Sequence, residues 1–451
     1  MKTPIADFVK AYAKSGTARF HMPGHKGKAL LGFEANDITD IAGADALFEA
    51  EGIIAESEAN ATALFGSRAT FYSTEGSSLC IRAMLHLAVR RFREKHGAQK
   101  RPVIVAARNA HKAFLYATAA LDCDILWLRG KESDFTLCRF DFDENELKTA
   151  LFSKNLPIAA VYITTPDYLG GMLDVQKIAD LAHGQDVPLL VDQAHGAYLR
   201  FLPQSLHALQ NGADLCCDSA HKTLPSLTGA AYLHVGKNAL SSFEKEAKEA
   251  MAFYGSSSPS YLTLASLDET NKILSSKYES ELAKTVLRID AFKKSLFQKG
   301  FSVCESDPLK ITVNAAKSGY TGKEMAALLR QGGVEVEYAD PDFAVLMAPP
   351  SNEEADFQKA EAVFASLAQK EALAHQKPSM PKPKTICSPR AAMLASREVV
   401  RTEESLGRIL ATPCISCPPA VPIIVCGESI DQNAIDAFLY YGIKEITVIK
   451  Q

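Results

Sequence analysis

The stretch of sequence that decides the fold is Asp218-Ser219-Ala220-His221-Lys222, which directly follows the apolar run Ala213–Cys217. A second apolar run, Pro188–Val191, leads in the same way into Asp192-Gln193-Ala194-His195-Gly196. Short apolar runs bounded by polar residues are typical of buried strands. The sequence therefore predicts two strands that each end in a cluster of ionisable side chains, with the aspartate of the second cluster 30 residues before the lysine of the first.

A lysine and an aspartate at two strand ends are the pair that pyridoxal 5'-phosphate (PLP) chemistry requires. The amine of Lys222 can form a Schiff base with the cofactor aldehyde, and the carboxylate of Asp192 can keep the pyridine nitrogen protonated so that the ring accepts electrons. The lysine motif alone is weak, because a surface lysine after any strand has the same appearance. The pairing with Asp192 is what favours a PLP enzyme.

Length and charge exclude several classes of protein. The chain has 451 residues, which predicts roughly two to four domains. Its 49 basic and 53 acidic residues give a net charge of −4, so no basic excess indicates nucleic-acid binding. The N-terminus lacks the apolar core of a signal peptide, and no apolar run is long enough to span a bilayer. We therefore expect a cytoplasmic protein with no membrane partner.

The ten cysteines are expected to be reduced thiols, since several lie inside apolar runs. Cys414-Ile415-Ser416-Cys417 has the spacing of half a zinc site or of a redox pair. No second pair of cysteines or histidines follows it at a suitable distance, so two incidental thiols are the favoured interpretation and no metal site is predicted.

From residue 69 onward, short apolar runs alternate with helical patterns, which predicts an α/β fold with a mostly parallel, seven-stranded sheet. The predicted strands are Ala69–Ser73, Val103–Ala107, Asp124–Leu128, Ile158–Thr164, Pro188–Val191, Ala213–Cys217 and Gly229–Val235. A helical region, Leu240–Lys299, follows and is interrupted at Gly255–Ser260. An α+β unit comes next, with predicted strands that include Val334–Tyr338 and a last helix at Asn352–Ala372. The final predicted strand is Lys444–Ile449.

The segment Thr74-Glu75-Gly76-Ser77-Ser78 lies between the first predicted strand and a long predicted helix. It supplies backbone N–H groups at a helix start together with small hydroxyl groups, which are the donors that bind phosphate. The alternative is that Ser77 or Ser78 simply caps the helix, and residue preferences alone favour capping.

Polar residues follow four further predicted strands. Arg108–Lys112 places His111 where a histidine can stack over a planar ring, although a surface loop is the simpler interpretation. Thr164–Gly171 is predicted to form a bend, and the remaining two clusters hold Asp192 and Lys222. In open α/β sheets the ligand binds outside the carboxyl ends of the strands, so the five clusters together predict one crevice there.

These motifs resemble those of the Orn/Lys/Arg decarboxylase family (group III, fold-type I PLP enzymes), in the short form without an N-terminal wing domain. The resemblance covers nearly the whole chain. It is carried, in order, by Phe20–Gly27, Gly76–Ser78, Arg108–Lys112, Asp192–Gly196, Ser219–Lys222, Ser257–Tyr261 and Pro418–Pro422.

The resemblance implies an aspartate aminotransferase-like large domain with smaller α+β C-terminal domains. The implied domains are an N-terminal arm (1–33), a PLP-binding large domain (34–265), a small α+β domain (266–375) and a C-terminal decarboxylase module (376–451). The implied reaction converts arginine, lysine or ornithine to its amine and CO₂, feeding polyamine synthesis. The implied assembly is a homodimer with shared active sites, and the choice of substrate and any larger assembly are left open.

The resemblance also assigns roles to residues. Lys222 would bind PLP covalently and Asp192 would form a salt bridge with the pyridine nitrogen. His111 and Ala194 would pack on the two faces of the ring, and His195 would lie beside the ring hydroxyl or the substrate carboxylate. The phosphate would be held by Gly76, Ser77, Ser78, Ser219 and His221, and by Ser257 and Ser258 of the neighbouring subunit, from a segment expected to lie away from the strand-end clusters.

Glu337 matches the acidic residue of the family that faces the cationic end of the substrate. In a strand Val334–Tyr338, Glu335 and Glu337 would share one face, which by sequence alone is more simply a solvated face.

Three departures from the family pattern bear on the choice of substrate. They are Gln193 where glutamate is common, Thr223-Leu224-Pro225 in place of a glycine-rich segment, and Cys414–Cys417 with Ala420 near the C-terminus.

Two other functions remain open. An aminotransferase would use the same lysine and aspartate, but it would form a keto acid and normally bind the substrate carboxylate with arginine. A catalytically silent regulatory member is the non-enzyme alternative.

Overall fold

The computed structural model describes residues 1–131, 135–153, 156–374, 376–413 and 420–450. The chain forms two compact units. Unit 1 consists of Met1–Lys100, Lys154–Thr165 and Asp174–Ser280, and unit 2 consists of Arg101–Ser153, Pro166–Leu173 and Glu281–Gln451. Cys414–Cys417 and Pro418–Pro419, which the sequence analysis singled out, lie outside the described residues.

The largest sheet has seven strands, which are β1 (Ala69–Ser73), β2 (Val103–Ala107), β3 (Asp124–Leu128), β4 (Ile158–Thr164), β5 (Leu189–Asp192), β6 (Leu215–Asp218) and β7 (Ala231–Val235). Their order is β1-β7-β6-β5-β4-β2-β3. Strand β7 runs antiparallel to its neighbours, β1 and β6, while the pairs β2–β3, β4–β5 and β5–β6 are parallel. The predicted mostly parallel seven-stranded sheet is therefore confirmed.

Helices surround the strands along the chain. They are α1 (Pro4–Lys14), α2 (Ile53–Phe65), α3 (Gly76–His96), α4 (Lys112–Leu121), α5 (Glu144–Leu151), α6 (Val175–His183), α7 (Ala220–Thr223), α8 (Ser241–Ala252), α9 (Tyr261–Leu274), α10 (Tyr278–Gln298), α11 (Gly322–Gln331), α12 (Glu354–Ser366), α13 (Pro389–Leu394) and α14 (Gln432–Tyr440). Across the described ranges, no helix has the length and apolar character needed to cross a membrane.

The central strands of unit 1 are buried along their whole length. Every residue of β5 and β6 is buried, and so are the residues of β7. A strand covered on both faces needs apolar residues on both faces, which is why these segments are continuous apolar runs rather than alternating ones. Their polar residues are displaced to the strand ends, where the candidate site forms.

Unit 2 contains two smaller sheets. The strands β8 (Lys310–Asn314), β9 (Tyr338–Ala339) and β10 (Phe343–Met347) form an antiparallel sheet in the order β8-β10-β9. The strands β11 (Arg397–Arg401) and β12 (Glu445–Ile449) form an antiparallel pair. An apolar cluster that includes Leu137, Tyr338, Val345, Ile424 and Phe438 packs the C-terminal segment within this unit.

Two predicted elements of unit 2 are wrong in extent. The predicted strand Val334–Tyr338 is reduced to β9, because residues 334–337 have no strand structure and Arg330 forms a two-bonded ion pair with Glu335. The predicted helix Asn352–Ala372 runs only from Glu354 to Ser366 as α12.

A buried ion pair lies in unit 2 beside β8. Lys310 is 1% exposed, and its Nζ donates to Oδ2 of Asp307 at 2.7 Å and to the carbonyl oxygen of Asp167 at 3.0 Å. Asp167 also accepts hydrogen bonds from the backbone of Leu169 and Gly171, which forms the bend predicted there. Burial raises the pKa of Asp167 to about 6, although these bonds and Lys310 act to lower it.

We expect Lys310→Ala to lower the free energy of unfolding by about 3–5 kcal/mol, because it leaves the Asp307 carboxylate buried without its cation. The double variant Lys310→Met with Asp307→Asn removes both charges and should lose much less. Urea unfolding of the two proteins checks this. A double variant as unstable as Lys310→Ala would contradict this expectation, because methionine retains the packing and no unpaired buried charge remains.

Candidate active site

The adjacent ends of β5 and β6 form the candidate site in unit 1. Asp192 is the last residue of β5 and pairs in parallel register with Cys217 of β6. The chain leaves β6 at Asp218, and Ser219 precedes the short helix α7, which carries Lys222. Parallel neighbouring strands end at the same edge of a sheet, so the two predicted clusters lie side by side.

Lys222 and His195 meet directly at this edge. The Nζ atom of Lys222 lies 3.0 Å from Nε2 of His195, and the histidine is buried while the lysine is partly accessible. This distance is that of a hydrogen bond through which a proton can pass between the amine and the imidazole. The structure therefore places Lys222 in direct contact with His195, and the family resemblance had assigned both residues to the site without pairing them.

Asp192 is 2% exposed and is held by donors on both carboxylate oxygens. Oδ1 accepts from the backbone N–H of Ala194 at 3.1 Å and lies 3.7 Å from Sγ of Cys217, while Oδ2 accepts from the hydroxyl of Tyr162 at 3.2 Å. Burial raises the pKa of the Asp192 carboxyl, and the positive charge of Lys222 acts in the opposite direction. A buried carboxylate of this kind is stabilised by a cation placed against it.

Two of the serines predicted to bind phosphate meet at the start of α3. Oγ of Ser219 lies 2.9 Å from Oγ of Ser77 in the first turn of the helix. Neither Ser77 nor Ser78 is the N-cap, so the capping alternative is wrong. The N-cap position is Glu75, which makes no side-chain capping bond. Gly76 has φ +69°, and no atom lies within 4 Å of the position that a Cβ would take, so the helix start has open space in front of it.

His221 is held by a hydrogen bond to the backbone. Its Nδ1 lies 2.9 Å from the carbonyl oxygen of Ala230, and burial lowers the pKa of the imidazole. A neutral ring that donates through Nδ1 has only an acceptor at Nε2. His221 would therefore donate to a phosphate through Nε2 only in its protonated form, and its phosphate role stays a prediction.

Two predicted site residues belong to unit 2. His111 is the N-cap of α4, where its Nδ1 accepts from the backbone N–H of Ala113 at 3.1 Å. Glu337 is partly buried just before β9, and its backbone N–H donates to the carbonyl oxygen of Val345 at 2.9 Å. The expectation that strand alternation places Glu335 and Glu337 on one face is wrong, since neither residue lies in a strand.

The serine segment after α8 was expected to lie away from the strand-end clusters. This expectation is wrong. The backbone N–H of Ser256 donates to Oε1 of Glu75, the residue before Gly76, at 2.6 Å. Ser257 and Ser258 are exposed, and Ser260 caps α9 by accepting from Thr263 at 3.3 Å. The segment therefore begins beside the first turn of α3 of its own subunit.

The departure at Gln193 has a structural basis. Its Nε2 donates to the carbonyl oxygen of Gly196 at 2.8 Å, and its Oε1 accepts from the backbone N–H of Ala208 at 2.7 Å. The side chain is 1% exposed and thus uses both ends of its amide in the turn that carries Ala194 and His195.

Sequence reasoning missed a buried network behind Ser219. Oδ2 of Asp218 lies 2.8 Å from Nε2 of His207 and 3.0 Å from Nε2 of His234, and all three side chains are buried. Burial acts to raise the pKa of Asp218, but the two histidines lower it to about 2. The sequence offers only one indication of this network, which is that the charged residue Asp218 follows an apolar run.

The same network has the residue types of a metal site, because Cys216 lies with His207 and Asp218. However, Nδ1 of His207 accepts from the backbone N–H of Leu209 at 3.3 Å, which leaves Nε2 as the ring nitrogen that carries a proton. That proton points to Asp218, and a metal on Nε2 would have to displace it. The geometry is that of a hydrogen-bonded carboxylate.

Comparison with known proteins identifies the family. Residues 3–304 match the model of the Orn/Lys/Arg decarboxylase major domain, which is more than half of the chain. The chain belongs to the Orn/Lys/Arg decarboxylase family. This confirms the family predicted from the sequence and, with it, the predicted class of enzyme, an amino-acid decarboxylase.

A named relative and two solved structures agree with the assignment of the chain to this family. The chain is 28% identical to an arginine decarboxylase of Halalkalibacterium halodurans, over 96% of this chain and 92% of the relative. The lysine decarboxylase of Francisella novicida has a similar structure, with a TM-score of 0.79 at 15% identity over 99% of this chain and 81% of that one. A structure of SPT with PLP bound has a TM-score of 0.55 at 13% identity, over 80% and 82% of the two chains. The predicted fold-type I architecture is therefore confirmed.

Proposed function

We propose that this member of the Orn/Lys/Arg decarboxylase family binds PLP at the ends of β5 and β6 and decarboxylates a basic amino acid. The observation that carries the proposal is the amine of Lys222, 3.0 Å from His195 at the same sheet edge as the buried carboxylate of Asp192. When bound, PLP supplies an electron sink for the bond between Cα and the carboxylate. The residues present fit that cofactor.

Each part of the cofactor has a matching group in unit 1. Lys222 would hold the aldehyde end and Asp192 the ring nitrogen, whose positive charge would offset the cost of burying this carboxylate. Ser77 and Ser219, with the open first turn of α3 at Gly76, would hold the phosphate. The remaining roles are those implied by the resemblance. Ala194 and His111 of unit 2 would pack on the faces of the ring, and Ser78 and His221 would bind the phosphate.

Proton transfer would be the task of Lys222 and His195. Because their nitrogen atoms are 3.0 Å apart, the imidazole can take a proton from the lysine amine and return it. After CO₂ leaves, Cα needs one proton to give the amine product, and these two residues are the donors we propose. The product amine would feed polyamine synthesis.

The deciding experiment is to incubate purified protein with PLP and arginine, lysine or ornithine separately, and to identify the products by mass. A decarboxylase gives the amine that has lost CO₂. An aminotransferase gives a keto acid and no such amine, and a silent regulatory member gives neither product. The parent should therefore form an amine from at least one of the three.

Substrate charge would be recognised by Glu337. A carboxylate that meets the guanidinium or ammonium of the substrate contributes about 1.5–3 kcal/mol when shielded from water. Glu337→Gln is therefore expected to raise KM for the basic amino acid by roughly ten- to a hundredfold, with PLP binding unchanged.

The matched control for this prediction is Glu335→Gln, which removes an exposed carboxylate that is paired with Arg330. It should leave KM unchanged. Steady-state kinetics with each basic amino acid makes the comparison, and equal KM values for the parent and Glu337→Gln would remove Glu337 from the site.

We also propose a homodimer with shared sites. The monomer exposes large apolar side chains close to two of the family motifs: Phe20 is 97% exposed, Leu30 83%, Leu31 77% and Phe253 72%. Exposed apolar area on this scale is typical of a surface that another protein covers. Ser257 and Ser258, which follow Phe253, would then reach the phosphate of the neighbouring subunit.

Complementation tests the shared site. Inactive Lys222→Ala mixed with an inactive variant in which Ser257 and Ser258 are both alanine should recover about a quarter of the parent activity, since half of the randomly exchanged dimers keep one intact site. Ser260 is left unchanged because it caps α9. An absence of recovery after confirmed subunit exchange would show that each subunit is self-sufficient.

The domain boundaries given by the resemblance and the cytoplasmic location remain predictions.

A further inference from the structure

Asp192 has a tyrosine partner that the family pattern did not assign. Tyr162 lies on β4, two residues before Thr164, which pairs in register with Asp192. Residues two apart in a strand point to the same face of the sheet. The phenol of Tyr162 therefore lies on the face of Asp192, and its hydroxyl reaches Oδ2 of that residue at 3.2 Å.

We propose that Tyr162 is a positioning residue that keeps Asp192 ionised and fixes its orientation toward the cofactor ring. The inference rests on the proposed function, which makes Asp192 the partner of the ring nitrogen. Tyr162 is fully buried, so water does not compete for its hydroxyl. With Ala194 on Oδ1 and Tyr162 on Oδ2, each oxygen of Asp192 has a donor that favours the charged form.

The chemical consequence concerns one proton. A buried carboxylate opposite a pyridine nitrogen can be ionised against a protonated ring, or it can carry the proton itself and leave the ring neutral. Only the protonated ring is a strong electron sink. Burial favours the neutral pair, since it raises the pKa of Asp192, and the hydrogen bond from Tyr162 opposes this effect. Tyr162 would thus act in the same direction as the charge of Lys222 and the N–H of Ala194, and would help to keep the proton on the ring.

The chain offers a matched control for the loss of a phenolic hydroxyl. Tyr232 of β7 is also fully buried, and its hydroxyl has no hydrogen-bond partner among the residues that the structure describes. Tyr162→Phe and Tyr232→Phe therefore delete the same atom from the same sheet. Only the first deletion removes a bond to Asp192.

The first test uses the cofactor-free protein. Aspartate carboxyl groups labelled with carbon-13 are titrated by NMR, and the signal of Asp192 is assigned by its loss in Asp192→Asn. We expect the titration midpoint of Asp192 to rise by about one pH unit in Tyr162→Phe, a tenfold change in protonation, and to stay unchanged in Tyr232→Phe. Equal midpoints in Tyr162→Phe and the parent would overturn the proposal.

The second test adds PLP labelled with nitrogen-15 in the ring. In Tyr162→Phe the ring nitrogen should shift toward its neutral form, and the dissociation constant of PLP should rise about tenfold. The same changes in Tyr232→Phe would overturn the proposal. If Tyr162→Phe does not fold, Tyr162→Met replaces it, since a flexible apolar side chain fills the space without a donor. A parent that binds no PLP would refute the proposed function, while the carbon-13 titration would still test Tyr162.

Discussion

Lys222→Ala is expected to reduce amine formation by about a thousandfold or more, because it removes the proposed nucleophilic amine. The variant should stay folded, since Lys222 lies in the short helix α7 and its side chain is partly accessible. Amine formation measured by mass, together with thermal unfolding, checks both parts of this expectation.

The lysine proposed to hold the cofactor can also be identified directly. With PLP bound as proposed, the protein should be yellow, borohydride reduction should attach the cofactor to Lys222, as read by peptide mass, and the visible band should disappear. Lys237→Ala is the control, because Lys237 is an exposed lysine that also follows a strand of this sheet. A label on a lysine other than Lys222 would contradict the assignment.

The second large effect is expected from Asp192→Asn, which should lower turnover by about a hundredfold through loss of the charge opposite the ring nitrogen. Asparagine keeps the size of the side chain, so PLP should still bind, although more weakly. Rates with saturating PLP separate weaker binding from a weaker electron sink. Turnover equal to that of the parent would mean that Asp192 does not contact the ring.

Asp192→Asn is expected to lower turnover but not the stability of the cofactor-free protein. Burial raises the pKa of Asp192 in the folded, cofactor-free protein above its unfolded value. The folded state then binds the proton more tightly, so stability is gained as the pH falls and is lost as the pH rises through the raised pKa. At neutral pH, cofactor-free Asp192→Asn should therefore unfold at the same or a higher temperature than the parent. Unfolding at a clearly lower temperature would contradict this.

The sequence predicted the central strands well because each is an apolar run that polar residues end sharply. It missed α2, whose buried face includes Ser57 and Glu58, so the apolar periodicity that marks an amphipathic helix is blurred. It extended β9 too far because Val334–Tyr338 alternates like a strand, although an ion pair joins Glu335 to Arg330 in the last turn of α11. The alternation of residues within one segment does not reveal an ion pair with a residue outside that segment.

For the candidate site too, the sequence predicted some residues and missed others. Asp192 and Lys222 were found because each follows its own strand and the required chemistry is specific. Tyr162 was missed because it lies within an apolar run, where a tyrosine is normally a core residue. Its partner depends on the register between β4 and β5, which only the structure gives. His207 was missed for the same reason, since its bond to Asp218 links a loop to a strand.

The amide of Gln193 has a consequence for exchanging residues between relatives. Its Nε2 donates to Gly196 and its Oε1 accepts from Ala208, so the position needs a donor at one end and an acceptor at the other. Glutamate, common in the family at this place, would turn the donor into a second acceptor facing a carbonyl oxygen, unless it took up a proton. Gln193→Glu in this chain would therefore place two hydrogen-bond acceptors against each other in a buried turn. A chimera that introduces glutamate at this position would have to take the surrounding segment, from Asp192 to Ala208, from the same relative as one block.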